Sequence, residues 1–354
     1  MNSQQILVTS VTDARISAII DLVWAQGQRW HQLDSRLNAI SSKEQIASMI
    51  QHHRSQEQLP LVAVDTQNRV RAYVHPAIWQ LDPEDGLRAF FSDRNGLARY
   101  LTLPDPDDAD AFLVVSTLFA ELTQRRNGQR IRGEIVYWPS CDLWLDKLLH
   151  KQGYLLDSEL AYQRFPIKIS EPPHSYSGTN MQSRLACRDD EDVLAALFTE
   201  ELVFHEPYTP FVHMNPAVEQ AFRDRLSLLW AGKSLEEGAP LVVVIELDGR
   251  VVAMSESDLY IVNEDEKDAS YLLPAGRYCH INNMGVCQEL RGQGIGHMLV
   301  KATVDLFEPM NLDGSILWFN PDNPLSSRFW PRLGFQPLWR TYQRHYANRS
   351  NPLF

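Results

Sequence analysis

The stretch MGVCQELRGQGIGHML, Met284–Leu299, decides the fold of this chain. A strand pattern, His280–Val286, leads into a glycine-rich turn, Arg291–Gly296, and apolar residues then recur at helical spacing from Met298 onward. Glycine lets a backbone approach a bulky ligand closely. The first turn of a helix presents unpaired N–H groups and the positive end of its dipole. The stretch therefore predicts a site for a phosphate or pyrophosphate.

The spacing of the glycines separates several phosphate-binding motifs. No GxxxxGK followed by Ser or Thr occurs, which excludes a Walker A loop. The dinucleotide fingerprint GxGxxG, counted from Gly292, fails because His297 occupies the third glycine position. The pattern that fits is Arg-x-x-Gly-x-Gly, formed by Arg291, Gly294 and Gly296 after a predicted strand. This pattern resembles the acyl-CoA signature of the GNAT N-acyltransferases.

Composition limits the class of protein. The 354 residues are enough for two domains of ordinary size. A net charge of -12 argues against nucleic acid as the main partner, because such binding needs a basic surface. No apolar run is long enough to span a membrane. The cysteines form no CxxC pair or zinc-ligand spacing, so we expect no metal and a reduced, cytoplasmic setting; they are Cys141, Cys187, Cys279 and Cys287.

The chain repeats its own order of elements. Residues 135–164 and 316–344 both run strand, Pro-containing turn, helix, Gly-aromatic stop, strand and a closing Tyr-Gln-Arg. Between them, residues 166–180 are rich in Pro, Ser, Gly and Asn, which is typical of a linker. The sequence therefore predicts a domain over residues 1–165, a linker over 166–180 and a second domain over 181–354.

The second half predicts a strand, two helices, a hairpin around Asp248-Gly249, a strand, the glycine loop, a helix, a strand, a helix and a strand. This order resembles the GNAT fold from about Met181 to Tyr346, and the first half resembles it weakly. The expected fold class is α/β, in the α+β sense, with two tandem GNAT-like domains. Each would have a mixed, mostly antiparallel central sheet flanked by helices. The GNAT fold normally adds two strands after this point, and the 19 residues that follow Phe335 are enough for one strand and a tail. We therefore expect the last strand to be missing or to be supplied by the other domain.

The resemblance implies acetyl-CoA as co-substrate. It implies that backbone N–H groups hold the CoA pyrophosphate at Arg291, Gly292, Gln293, Gly294, Ile295 and Gly296. It also implies that the main chain pairs with the pantetheine arm at Met284, Gly285 and Val286. Asn323 stands where the family has an asparagine that contacts the CoA arm, and an N-cap role is the alternative. The first half has LTLPDPDDADAF, Leu101–Phe112, where the motif would lie. Its aspartates repel a pyrophosphate, so we expect no CoA there.

Catalysis by direct attack needs a base for the ammonium substrate and an N–H for the acyl oxygen. Val286 or its neighbour is the expected N–H. Alternation would place His280, Asn282, Met284 and Val286 on one face. His280 is the first candidate base, with an ordinary strand histidine as the alternative. Glu256 is the second, with simple solvent exposure as its alternative, and a water chain could replace both.

The expected substrate wall is Glu200–Met214, which mixes acids, aromatics and histidines. Such a mixture suits a cation, although a solvated loop would have the same composition. The residues predicted to bind substrate are Glu201, His205, Glu206 and Tyr208. Trp330 stands where many family members have a tyrosine acid, and tryptophan cannot protonate a thiolate. The predicted function is acyl-CoA-dependent N-acylation of a small amine. The alternative is a non-catalytic acyl-CoA-binding or interaction module.

Overall fold

The computed structural model describes residues 5–37, 42–167, 169, 180–209, 211–263 and 272–346. Most of the predicted linker, namely residue 168 and residues 170–179, lies outside the described residues. The strands are β1 Leu7–Ser10, β2 Leu61–Val64, β3 Val70–Gln80, β4 Arg94–Thr102, β5 Gly133–Pro139, β6 Leu155–Arg164, β7 Met181–Leu185, β8 Leu241–Leu247, β9 Arg250–Val262, β10 Gly276–Val286, β11 Gly314–Phe319 and β12 Gln336–His345. The helices are α1 Ile16–Leu33, α2 Lys43–Arg54, α3 Ala111–Arg126, α4 Asp146–Lys151, α5 Glu191–His205, α6 Pro216–Trp230, α7 Ile295–Phe307 and α8 Ser326–Arg332.

Local chemistry explains where several of these elements begin and turn. Helix α6 starts at Pro216, whose missing N–H costs nothing at that position, and Asn215 caps it by accepting from the N–H of Ala217 at 3.0 Å. The hairpin between β8 and β9 turns at Asp248 and Gly249, which both have positive φ angles. A two-residue turn of this kind matches the twist of the strands that it joins.

All described strands lie in one sheet, in the order β1-β2-β3-β4-β5-β12-β6-β11-β10-β9-β8-β7. Two pairs are parallel, β4 with β5 and β10 with β11, and the remaining pairs are antiparallel. The predicted mixed, mostly antiparallel sheet flanked by helices is therefore confirmed. The sheets of the two halves are joined into one.

The halves exchange strands where they meet. Strand β6, from the first half, lies between β11 and β12 of the second half. Strand β12 in turn lies between β5 and β6 of the first half. Of the two alternatives for the missing last strand, the structure shows that the other half supplies it.

Buried and partly buried ion pairs hold the exchanged strands. Arg340 on β12 contacts Asp146 of α4 at 2.5 Å and Glu159 of β6 at 2.9 Å. Arg344, also on β12, contacts Glu134 of β5 at 2.5 Å, and that carboxylate is fully buried. A buried carboxylate without a partner would be costly, so these pairs favour this arrangement of strands over others.

We expect residues 181–354 produced alone to be insoluble or to unfold without a cooperative transition. Without the first half, both edges of β12 and one edge of β11 lose their partners, and unpaired edges promote aggregation. Circular dichroism during heating would compare this fragment with the whole chain. The control is a co-produced pair of fragments, 1–175 and 176–354. A fragment 181–354 that unfolds cooperatively at the melting temperature of the whole chain would contradict the expectation.

Candidate active site

A cleft opens between β10 and β11 where their pairing stops. The parallel register covers Tyr278 to His280 on β10 and ends at the pair His280–Ile316. Beyond that pair the strands separate around a cavity of about 760 Å³, a size suited to a cofactor-sized ligand. Both strands, the C-terminal end of α5, the glycine loop and α8 line this cavity.

A β-bulge at Asn282 changes which side chains share a face of β10. Ile281 pairs with Ser257 and Asn283 with Glu256, which leaves Asn282 as the extra residue. His280 pairs with Asp258, which lies on the face that carries Arg225 of α6. Met284 packs on the other face, in the cluster of α7 and α8. The predicted single face for His280, Asn282, Met284 and Val286 is therefore wrong.

The main chain of β10 presents free donors to the cleft. The N–H of Cys287 donates to Val252 of β9 at 2.9 Å. Donor directions alternate along a strand, so the N–H groups of Met284 and Val286 point away from β9 and toward the gap. Gly285, between them, faces α5, where a side chain would meet the Leu197 carbonyl at 3.3 Å.

The glycine loop has the backbone that its sequence predicts. Gly292 and Gly294 adopt φ angles of 77° and 90°, in the left-handed region that favours glycine. Gly294 precedes the first residue of α7, so the loop delivers the chain directly to a helix N-terminus. Arg291 braces the loop from outside by donating to the Val286 carbonyl at 2.9 Å and pairing with Glu200 at 2.9 Å.

Gly296 keeps space between α7 and α8. A Cβ at this position would lie 3.4 Å from the ring of Phe329 and 3.7 Å from Cε of Met284. All three residues line the cleft, so a larger residue here would fill its floor.

Two arginines of the cleft wall were missed by the sequence analysis. Arg328 and Arg332 lie on α8, exposed and four residues apart, so they occupy the same side of that helix. The sequence shows their spacing, but only the structure shows that both residues line the cleft. Together they make this wall positively charged, which suits an anionic ligand.

Residues 201–335 match the family model described as the acetyltransferase (GNAT) family. The second half of this chain carries a GNAT acetyltransferase domain. The match includes the glycine loop, both strands of the cleft and Asn323.

Solved structures extend the likeness of fold to both halves of this chain. A GCN5-related N-acetyltransferase from Sphaerobacter thermophilus is 13% identical, with a TM-score of 0.52, over 96% of this chain and 95% of that one. The GCN5-related glucosamine N-acetyltransferase region of a fungal multi-domain GH3 β-N-acetylglucosaminidase is 16% identical, with a TM-score of 0.51. That match covers 97% of this chain and 38% of the fungal one. No curated protein matches the chain.

The residues of the cleft fit the acetyl-CoA that the GNAT family uses. Outward N–H groups of Met284 and Val286 suit the amides of a pantetheine arm, and the loop Arg291–Gly296 suits a pyrophosphate. The space beside Gly296 leaves room for the arm. Arg328 and Arg332 offer charge for further phosphate at the mouth.

The predicted substrate residues divide into two groups. Glu201 and His205 line the cleft, and they approach each other at 3.5 Å between Oε1 and Nε2. Oε2 of Glu201 is buried and accepts no hydrogen bond, so a donor on a bound molecule would satisfy it. Glu206 instead braces the following loop by accepting from the N–H of Met214, and Tyr208 packs on Phe204 outside the cleft lining.

Asn323 lies in the cleft lining, directly before α8. It is buried and lines the cleft, and its Oδ1 accepts from the N–H of Leu325 at 3.0 Å, just before α8. Its Nδ2 lies 3.3 Å from Nδ1 of His205. Asn323 therefore fixes the start of α8 and one wall of the cleft.

The two candidate bases have different surroundings. Nδ1 of His280 lies 3.2 Å from both carboxylate oxygens of Asp258, and its ring meets the edge of Trp318, which lines the cleft. Glu256 is 1% exposed and is closed by two hydrogen bonds from Arg225, at 2.7 and 3.0 Å, and by Asn283. A carboxylate tied in this way is a structural ion pair, which argues against Glu256 as the base.

Trp330 is buried against the rings of Phe329 and Phe335. It lines the cleft and has no proton to give to a thiolate. Its contacts are those of a packing residue.

The matching gap of the first half is filled. Strands β4 and β5 also pair over three positions, ending at Leu97–Ile135. Beyond them, the side-chain amide of Gln26 bonds the carbonyl of Leu101 and the N–H of Leu103, and Trp138 is fully buried. Gln26 thus occupies main-chain groups at the strand edge that corresponds to the cleft of the second half.

Two general properties concern the described parts of the chain. Every helix there is too short or too polar to cross a bilayer. The His, Cys, Asp and Glu side chains there form no group of three or more that could hold a metal ion.

Replacing both Arg328 and Arg332 by alanine should weaken CoA binding roughly tenfold, because each exposed pair with a phosphate contributes about 0.2–1 kcal/mol. Calorimetry would measure the dissociation constant at low and high salt, and the loss should shrink at high salt. Arg69→Ala, an exposed arginine of the first half, is the matched control. Unchanged affinity in the double variant would show that this wall does not contact CoA.

Proposed function

We propose that this chain is an N-acyltransferase that transfers an acyl group, most simply acetyl, from CoA to a small amine. The observation that carries the proposal is the gap beyond His280–Ile316. It joins a main-chain pairing edge and a glycine loop in one site. The His280–Asp258 pair lies outside the cleft lining and contacts it through Trp318. The described residues of the first half lack this combination, so we assign CoA binding to the second half alone.

Bound acetyl-CoA supplies an acyl group activated as a thioester. The N–H groups of Met284 and Val286 point into the gap, where one of them can donate to the acyl oxygen as negative charge develops. The amine attacks the carbonyl carbon directly within a ternary complex, since the cleft lining contains no Ser or Cys nucleophile paired with a base.

We assign His280 as the base that takes the proton of the attacking amine. It is the last paired residue before the strands separate, so it stands at the vertex of the gap. Asp258 contacts Nδ1, which leaves Nε2 as the nitrogen available for proton transfer. Glu201 and His205 form the wall through which the amine would approach.

The rival function is a module that binds acyl-CoA without catalysis. Trp330 favours it, because the position that holds an acid in many family members cannot donate a proton here. Under the enzymatic proposal, water at the open mouth of the cleft protonates the departing thiolate.

We expect His280→Ala to lower kcat about a hundredfold while the affinity for acetyl-CoA stays unchanged, because general base catalysis contributes about 10²–10⁴-fold. Thiol release from acetyl-CoA with a panel of amines would measure the rate, and calorimetry the affinity. His150→Ala, an exposed histidine on α4, is the matched control. Gly294→Glu should abolish acetyl-CoA binding, because it forces a side chain and a negative charge into a left-handed position at the loop.

The outcomes separate the two functions. Binding of acetyl-CoA with no turnover on any amine would favour the rival. If the His280→Ala variant is as fast as wild type, we would assign the base to Glu201 or to water instead. Full binding by Gly294→Glu would show that the glycine loop is not the pyrophosphate site.

A further inference from the structure

A buried carboxylate from the first half lies on the sheet beside the proposed site. Asp157 is the extra residue of a bulge in β6, between the pairs Leu156–Tyr342 and Ser158–Thr341. Its side chain is buried, and its Oδ1 has no hydrogen-bond partner. Its Oδ2 accepts from Oγ of Ser158 at 3.0 Å.

None of the groups that shift the pKa of Asp157 is a cation. Burial raises the pKa of Asp157 to about 6, and the groups that oppose this rise are the neutral side chains of Gln343 and Ser158. Arg99 acts instead on Tyr137. A buried carboxylate with a free oxygen is costly in the absence of a partner, and an ammonium group would remove that cost.

Asp157 is on the side of the sheet from which an amine would reach His280. Directly opposed residues of neighbouring strands point to the same side. Tyr137 opposes Thr341, which opposes Ser158, and Leu160, two residues beyond Ser158, opposes Trp318. The Asp157 carboxylate raises the pKa of Tyr137 and contacts Gln343, two residues from Thr341, so it lies on this same side of the sheet. Trp318 in turn meets the ring of His280.

Aromatic side chains lie between Asp157 and His280 on this side of the sheet. Tyr137 lies within electrostatic reach of Asp157 and of Tyr260, and the Tyr260 ring is 6.2 Å from that of His280. Both tyrosines are partly buried. Aromatic faces beside a carboxylate are suited to a cationic, partly apolar chain.

Asp157 is also tied to the end of β11 that lines the cleft. Its carbonyl accepts from Nδ2 of Asn320 at 2.6 Å, and Asn320 follows the cleft residue Phe319. Strands β10 and β6 flank β11 on either side, and His280 is level with Tyr162 of β6. Asp157 lies five residues further along β6, so two strand spacings and five residue rises separate the Cα atoms of His280 and Asp157, roughly 19 Å.

We propose that Asp157 binds the distal ammonium group of a long diamine acceptor, while the other nitrogen of that acceptor is acylated at the gap beside His280. This inference rests on the proposed N-acyltransferase function. A nitrogen held in an ion pair by Asp157 keeps its proton, so it is not the attacking nitrogen. The acceptor therefore carries two amino groups, joined by a long apolar chain.

Diaminooctane and octylamine are the matched probes, because they differ in the distal ammonium group alone. With acetyl-CoA, wild type should have a kcat/KM for diaminooctane at least tenfold above that for octylamine. Asp157→Asn should remove this preference and leave octylamine within twofold. Asp322→Asn, an exposed carboxylate near the same end of β11, is the control and should keep the preference.

A second measurement is independent of turnover. Diaminooctane should raise the melting temperature of wild type more than octylamine does, and this difference should vanish in Asp157→Asn. The variant itself should fold, since asparagine replaces an uncompensated buried charge with a neutral group of similar shape.

Each result decides a different point. Acetylation of both amines by wild type without preference would overturn the diamine inference and leave the proposed function standing, whether or not Asp157→Asn folds. Equal loss on both amines in a folded Asp157→Asn would show a purely structural role. No transfer to any amine, with an Asp157-dependent thermal shift by diaminooctane, would overturn the proposed function and support the binding site.

Discussion

The pairing of β6 with β11 on one edge and β12 on the other is the constraint on which the rest of the structure depends. Unpaired main-chain groups in a sheet interior are costly, so neither half can complete its sheet without the other. The exchange also fixes the end of β11. There Asn320 donates to the carbonyls of Asp157 and Tyr208, which brings the exchanged strand and the loop after α5 to the same corner of the cleft.

The gap between β10 and β11 follows from the geometry of the strands. Three parallel pairs hold them together up to His280, and a bulge at Asn282 then adds local twist to β10. The strands separate, and the donors of Met284 and Val286 lose their neighbour. Because of this bulge, His280 and Met284 lie on opposite faces of β10. His280 contacts Asp258, whereas Met284 packs with the residues of α7 and α8.

The sequence predicted what depends on local patterns. Glycines at fixed spacing before a helix need left-handed backbone angles, so the loop Arg291–Gly296 was readable from the chain alone. The bulge at Asn282 was not readable, because it depends on register against β9. The partnership of Glu256 with Arg225 joins residues 31 positions apart, so the sequence could not distinguish a buried ion pair from a base. The repeat of residues 135–164 and 316–344 predicted duplication, whereas the strand exchange depends on contacts between the copies.

The two halves share a gap between parallel strands, but they differ in the residues that lie at that gap. Both halves separate their parallel strands after three pairs, so the opening itself is a property of the fold. In the first half Gln26 bonds the freed strand edge, and Arg71 pairs with Asp110 just before α3. In the second half glycine occupies the corresponding turn, so the same strand edge and helix end stay open to a ligand. The exchanged strand of the first half also places the carboxylate of Asp157 in the sheet beside the cleft of the second half.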